Sequence, residues 1–356
     1  MDEIEPGDAG AEDSRTVETS QPVLNYFGLR EQPFAATADP AYFYATKRHK
    51  ECLFRLWNHI DERQGIAMVL GSYGTGKTTL LRKVLTGFQT EPEKYDGAVI
   101  GSPLPTWTSF SLLEHIIAAF QLRPAESTIK ALMEELNRHL LASRKRITTL
   151  IIDDAQNLNK RGQLELLRLT QNIETRQHKL LNLVFFAQLE WVPILRAAPN
   201  FMQRINVSFT LEPIGVDEVG DLIAYRLRLA GAGERGPVFD ESAIRAIYAY
   251  SKGNPRLIVT LCRNSLLAAA RLRTRQIGQA IILHTVETTM PPDPERKAYL
   301  AAALSEPAGI PSNAPNTPEA PHDVQSAPTP DEARANRMLV KGVRANLGRS
   351  GTQEKP

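Results

Sequence analysis

The stretch Gly71-Ser-Tyr-Gly-Thr-Gly-Lys-Thr-Thr79 constrains this chain more than any other. It matches GxxxxGK[ST] in full. An apolar run, IAMVL, precedes it, and an apolar-periodic run follows at Leu80, Leu81, Val84, Leu85 and Phe88. Such a segment reads as a strand, a tight loop and a helix. Glycines let the loop wrap an anion, and backbone amides point inward at a helix N-terminus. Gly71, Gly74, Thr75, Gly76, Lys77, Thr78 and Thr79 are therefore the expected nucleotide contacts. Lys77 is placed to reach the β- and γ-phosphates of ATP, and the Thr78 hydroxyl to coordinate Mg²⁺.

The surrounding pattern supports an α/β sheet. Ile66–Leu70, Gly97–Ile100, Ile147–Ile152, Leu181–Ala187 and Ile205–Thr210 read as buried strands. Helical patterns lie between them: one from Gly76, then Ser109–Gln121, Ser127–Ser143 and Arg161–Gln177. Alternation of this kind implies parallel crossovers and three layers. After about Gly215 the pattern turns helical, with Val216–Leu229, Asp240–Ser251 and Pro255–Leu272. The fold class expected is a parallel α/β core followed by a small all-helical domain.

Composition excludes several alternatives. With 42 Lys+Arg against 40 Asp+Glu the formal charge is +2, which is neither histone-like nor acidic. Two cysteines, Cys52 and Cys262, cannot build a disulfide framework or a four-cysteine zinc site. No apolar run reaches the ~20 residues of a membrane helix, and no signal peptide is visible. A cytoplasmic location is the expectation.

A second set of residues completes a hydrolytic site. Leu150-Ile-Ile-Asp153-Asp154 is an apolar strand ending in two carboxylates. Asp153 fits the acid that holds Mg²⁺ through water. Asp154 stands where additional-strand NTPases carry the glutamate that orients the attacking water, one methylene shorter. Gln188, after LNLVFFA, is a candidate sensor of the γ-phosphate; a loop amide is the plainer reading. Arg204, just before the last strand, can reach the γ-phosphate of a neighbouring subunit, or form a surface ion pair. Arg256, in Gly253-Asn-Pro-Arg256, can read the nucleotide from the helical domain or simply begin a helix.

Taken together these residues resemble the AAA+ ATPases of the ExeA/GspA secretion family. Tyr26-Phe-Gly-Leu-Arg-Glu-Gln-Pro-Phe34 with Ala38-Asp-Pro40 is similar to that family's FGLxxxPF…DP entry. His49 and Lys50 fall where it has a basic pair before the first helix. Ile151-Ile-Asp-Asp-Ala-Gln-Asn-Leu158 resembles hhIDEAQNL, and Ser251-Lys-Gly-Asn-Pro-Arg256 with Leu261-Cys262 resembles SxGxPRxIxxLC. The resemblance spans roughly Asn25 to Val286 and implies a P-loop AAA+ core with a helical lid. It implies ATP hydrolysis coupled to homo-oligomer assembly, in building a secretion or pilus machine. The sequence departs at Asp154, and in having neither a membrane helix nor a peptidoglycan-binding domain after the lid. The alternative is a regulator of the TnsC/TniB type, which binds double-stranded DNA with ATP and recruits a transposase. Arg144-Lys-Arg146 and Lys160-Arg161 are the basic clusters that could meet phosphates.

The expected organisation is therefore as follows: an acidic disordered segment over 1–20; an AAA+ nucleotide-binding domain over 21–212; a lid over 213–290; a proline-rich linker over 291–330; and a basic amphipathic tail over 331–356. The tail is a candidate docking segment for a protein partner. It carries Arg334, Arg337, Lys341 and Arg344 among Met338, Leu339, Val343 and Leu347.

Overall fold

Two stretches, Ile147–Ile152 and Leu181–Ala187, are buried along their whole length, as strands covered on both faces must be. They form the middle of a five-stranded sheet in a computed structural model that describes residues 21–305 except 36, 38, 177 and 234–237. The expected N-terminal segment 1–20, the 306–330 part of the expected linker and the tail 331–356 lie outside the described residues. The described chain divides into two units, one of Ala45–Pro213 and one of the residues up to Tyr44 with those from Ile214.

In chain order the strands are β1 (Ile66–Gly71), β2 (Tyr95–Ile100), β3 (Ile147–Ile152), β4 (Leu181–Ala187) and β5 (Ile205–Leu211). The helices are α1 (residues 21–27), α2 (Lys47–Asp61), α3 (Lys77–Thr90), α4 (Ser109–Ala119), α5 (Ile129–Ala142), α6 (Arg161–Thr170), α7 (Trp191–Arg196), α8 (Pro199–Met202), α9 (Val216–Leu229), α10 (Glu241–Ser251), α11 (Pro255–Arg271), α12 (Gln279–Thr289) and α13 (Pro294–Ser305).

The α/β unit holds all five strands, in the order β2-β3-β4-β1-β5, all parallel. Threonines start three of its helices. Thr46, Thr108 and Thr128 each accept a bond from the backbone amide three residues on. One sheet face buries Met68, Leu150, Ile152, Leu183 and Phe185 against Leu112, Ile116, Leu136 and Leu167. Fully burying each such side chain contributes about 1.5–3 kcal/mol. Trp191 is fully buried on this face, touches Phe185 and Phe201, and donates its indole N–H to the Leu158 carbonyl at 3.1 Å. On the other face Trp57 meets Phe88 edge-on at 5.5 Å and lies near Tyr95. Gly87 makes room for it, since a Cβ there would come within 2.4 Å of the Trp57 ring. Trp107 stacks on His115, with ring centroids 3.7 Å apart.

The helical unit packs α9 to α13 around Val219, Leu222, Ile247, Tyr250, Ile258 and Leu261. Lys252 and Gly253, with φ of 50° and 73°, end α10. A Cβ on Gly253 would lie 2.0 Å from the Ile214 carbonyl oxygen, so glycine is required there. Asn254 then caps α11, accepting from the amides of Arg256 and Leu257, with Pro255 in the first turn.

The structure departs from the expected boundaries in three places. Residues 21–44 group with the helical unit rather than the sheet. Phe34 is fully buried there among Leu24, Leu29 and Phe239, and Arg226 donates to the Pro33 carbonyl. Residues expected as linker form α13, because Asp293 caps the helix, Arg296 reaches the Tyr250 and Ser251 carbonyls, and Leu300 is buried. Helix α6 also stops at Thr170, short of the expected Gln177, and a bridge between Glu174 and Lys179 follows. No helix among the described residues is long and apolar enough to cross a membrane.

Candidate functional site

The loop joining β1 to α3 has the shape its glycines predict. A Cβ on Gly71 would meet Thr75 Oγ1 at 2.6 Å and the Leu211 carbonyl at 2.9 Å. Gly74 and Gly76 have φ of 85° and 93°, in the left-handed region. The amide end of α3 opens immediately after, at Lys77, with Thr78 and Thr79 in the same first turn. Lys77 is buried and donates to the carbonyls of Gly71 (2.8 Å) and Ser72 (3.0 Å). Burial lowers its pKa, while Asp153, Asp154 and Glu190 act to keep it charged. Thr75 donates its hydroxyl to the Ser72 carbonyl at 2.8 Å.

Asp153 lies directly after β3 and is only 7% exposed. Thr78 Oγ1 donates to its Oδ2 at 3.0 Å. Burial raises the Asp153 carboxyl pKa, against the pull of Thr78 and Lys77. An exposed threonine hydroxyl, a buried carboxylate and a buried lysine therefore share one end of a glycine cradle. That donor set fits a magnesium–nucleotide phosphate group: Thr78 and Asp153 would hold the ion, and Lys77 with the α3 amides the phosphates.

Asp154 sits beside this group with φ 49° and ψ 39°. Its carboxylate accepts from Ser102 Oγ (2.9 Å) and from Gln156 Nε2 (3.0 Å). Gln188 enters through its backbone, whose N–H donates to Gln156 Oε1 at 3.1 Å. Strand register explains the convergence. Ile152 pairs with both Ile100 and Phe185, so β2 and β3 end level while β4 runs two residues further, to Ala187, and brings Gln188 beside the turn that follows β3.

Arg204 is not brought to this edge. It precedes β5, whose Ile205 pairs with Ile66 while Leu211 pairs with Gly71. At about 3.3 Å per residue, the sheet separates Arg204 from the phosphate loop by roughly 17–20 Å. Its charge acts instead on Glu165 and Glu174. Arg256 belongs to the helical unit, exposed in the first turn of α11.

Three further residues contribute to the site that its motifs do not mark. Ser102 and Gln156 hold Asp154, and His49 holds the loop. His49 lies within α2, not before the first helix, and is buried. Its Nε2 faces the Thr75 carbonyl at 3.2 Å and its Nδ1 faces Thr46 Oγ1 at 2.8 Å. A carbonyl can only accept, so Nε2 carries the proton. Burial lowers this imidazole's pKa. The basic clusters are partly committed: Lys160 donates to the carbonyls of Thr106 and Trp107, and Arg146 pairs with Asp96 at 3.6 Å.

Residues 60–195, from the end of α2 to α7, match the family model of an AAA domain. The α/β unit is thus a P-loop AAA+ core. Over 249 residues the chain is 34% identical to general secretion pathway protein A of Aeromonas hydrophila, covering 68% of this chain and 44% of that protein. The match therefore spans less than half of the relative's length. Solved structures share the fold at lower identity. The Drosophila ORC bound to DNA has a TM-score of 0.57 at 15% identity, covering 82% of this chain and 71% of that one. CDC6p from Pyrobaculum aerophilum has a TM-score of 0.52 at 19% identity, covering 70% of each. The chain stands among the AAA+ ATPases related to general secretion pathway protein A.

Proposed function

We propose that this chain binds MgATP at the Gly71–Thr79 loop and hydrolyses it, and that hydrolysis is coupled to self-assembly. The observation that carries the reading is the Thr78–Asp153 hydrogen bond beside buried Lys77, with Asp154 as the next residue along. When bound, the magnesium ion would neutralise charge building on the transferred phosphoryl oxygens. Lys77 offsets the charge of the β- and γ-phosphates. Asp154 orients a water for in-line attack. Gln188 contacts the γ-phosphate end of the site. Arg204 of a neighbouring copy stabilises the transition state.

The relative's name supports work in a secretion pathway, so the task proposed is assembly of a secretion or pilus machine. Equilibrium nucleotide binding and phosphate release on the full chain test the chemistry. Asp154→Asn is expected to bind ATP as the parent does and to lose turnover by at least ~100-fold. Unchanged turnover would assign the water to another residue.

A further inference from the structure

Gln156 spends the two ends of its carboxamide in different directions. Nε2 donates to Asp154 Oδ1 at 3.0 Å, and Oε1 accepts from the Gln188 amide at 3.1 Å. The orientation is forced: a backbone N–H can only donate, and a carboxylate can only accept. The amide is also well founded. It stands in the short turn Ala155–Asn157, between fully buried Ala155 and Leu158, and the Trp191 indole holds the Leu158 carbonyl.

We propose that Gln156 is a positioning residue, which ties the Asp154 carboxylate to the end of β4 so that the water-orienting group and Gln188 keep a fixed spacing. This rests on the reading of Asp154 given above. Asp154 has a short side chain on left-handed backbone, and Ser102 holds only one of its carboxylate oxygens, Oδ2. Gln156 holds the other, Oδ1, and the two bonds together fix the plane of the carboxylate. A carboxylate displaced by about 1 Å from its water loses on the order of 100-fold in rate.

Two substitutions in the full chain separate this role from mere capping of β4. Gln156→Met keeps the volume and removes both bonds. Gln156→Glu keeps the acceptor for the Gln188 amide but offers no donor to Asp154. Both are expected to lower kcat by about 10- to 100-fold, with nucleotide affinity and Tm unchanged and Glu no better than Met. Added to Asp154→Asn, Gln156→Met should cause no further loss. A Glu variant with parental kcat would place the role in the Gln188 bond and overturn the proposal. Inactive Asp154→Asn beside fully active Gln156 variants would sink this inference alone. Active Asp154→Asn would sink the reading beneath it as well.

Discussion

Asp153 and Asp154 are sequence neighbours in opposite environments. The first is buried against Thr78, and the second is half-exposed between Ser102 and Gln156. Two adjacent carboxylates can therefore divide metal holding from water orientation without any difference in residue type. Lys77→Ala should abolish measurable ATP affinity, since no other cation lies within the loop Gly71–Thr79; fluorescent-nucleotide titration checks this. His49 and His59 supply a pH dependence. Burial lowers both imidazole pKa values below the ordinary 6.5. The unfolded chain then binds more protons below about pH 6.5, so stability is complete above that value and declines as pH falls through it. The urea midpoint should be lower at about pH 5.5 than at about pH 7.5, and His49→Gln should narrow that difference.

At the scale of elements, legibility followed burial. Strands β3 and β4 are buried throughout and mostly apolar because both faces are covered, with only Thr148, Thr149 and Asn182 as polar members, and their limits are read directly from the residues. Those of helix α12 are not, because QAIILHTVETT is rich in β-branched residues; packing of Ile282, Thr285 and Val286 holds it. Helix α13 was hidden by Pro291, Pro292 and Pro294, although proline is suited to a first turn. Ser102 and Gln156 were illegible for another reason. Ser102 stands 52 residues from Asp154, and only parallel register brings it there. Order along the chain places residues 21–44 with the sheet, whereas Phe34 shows where they pack. Phe34→Ala should cost about 3–5 kcal/mol, seen in calorimetry as a lower transition for the helical unit. Gly253→Ala should destabilise the same unit by about 1–3 kcal/mol or more, from positive φ and the clash with Ile214.

Across the whole molecule, the sheet holds the phosphate loop and Arg204 at opposite ends of its strands. A shared site would therefore join copies head to tail, a heterologous contact that closes into a ring or continues as a helix. Specific ATPase activity should rise with protein concentration. Mixing Arg204→Ala with Lys77→Ala should recover activity that neither has alone; no recovery at any ratio would reject the shared site. The division into two units also has an optical consequence. Trp57, Trp107 and Trp191, the three tryptophans of the chain, all lie in the α/β unit, whereas seven of the nine tyrosines lie in the helical unit. Tryptophan emission excited at its red edge thus reports the nucleotide-binding unit alone. Tyrosine emission reports mainly the other. Both signals can be followed without a label while nucleotide is added.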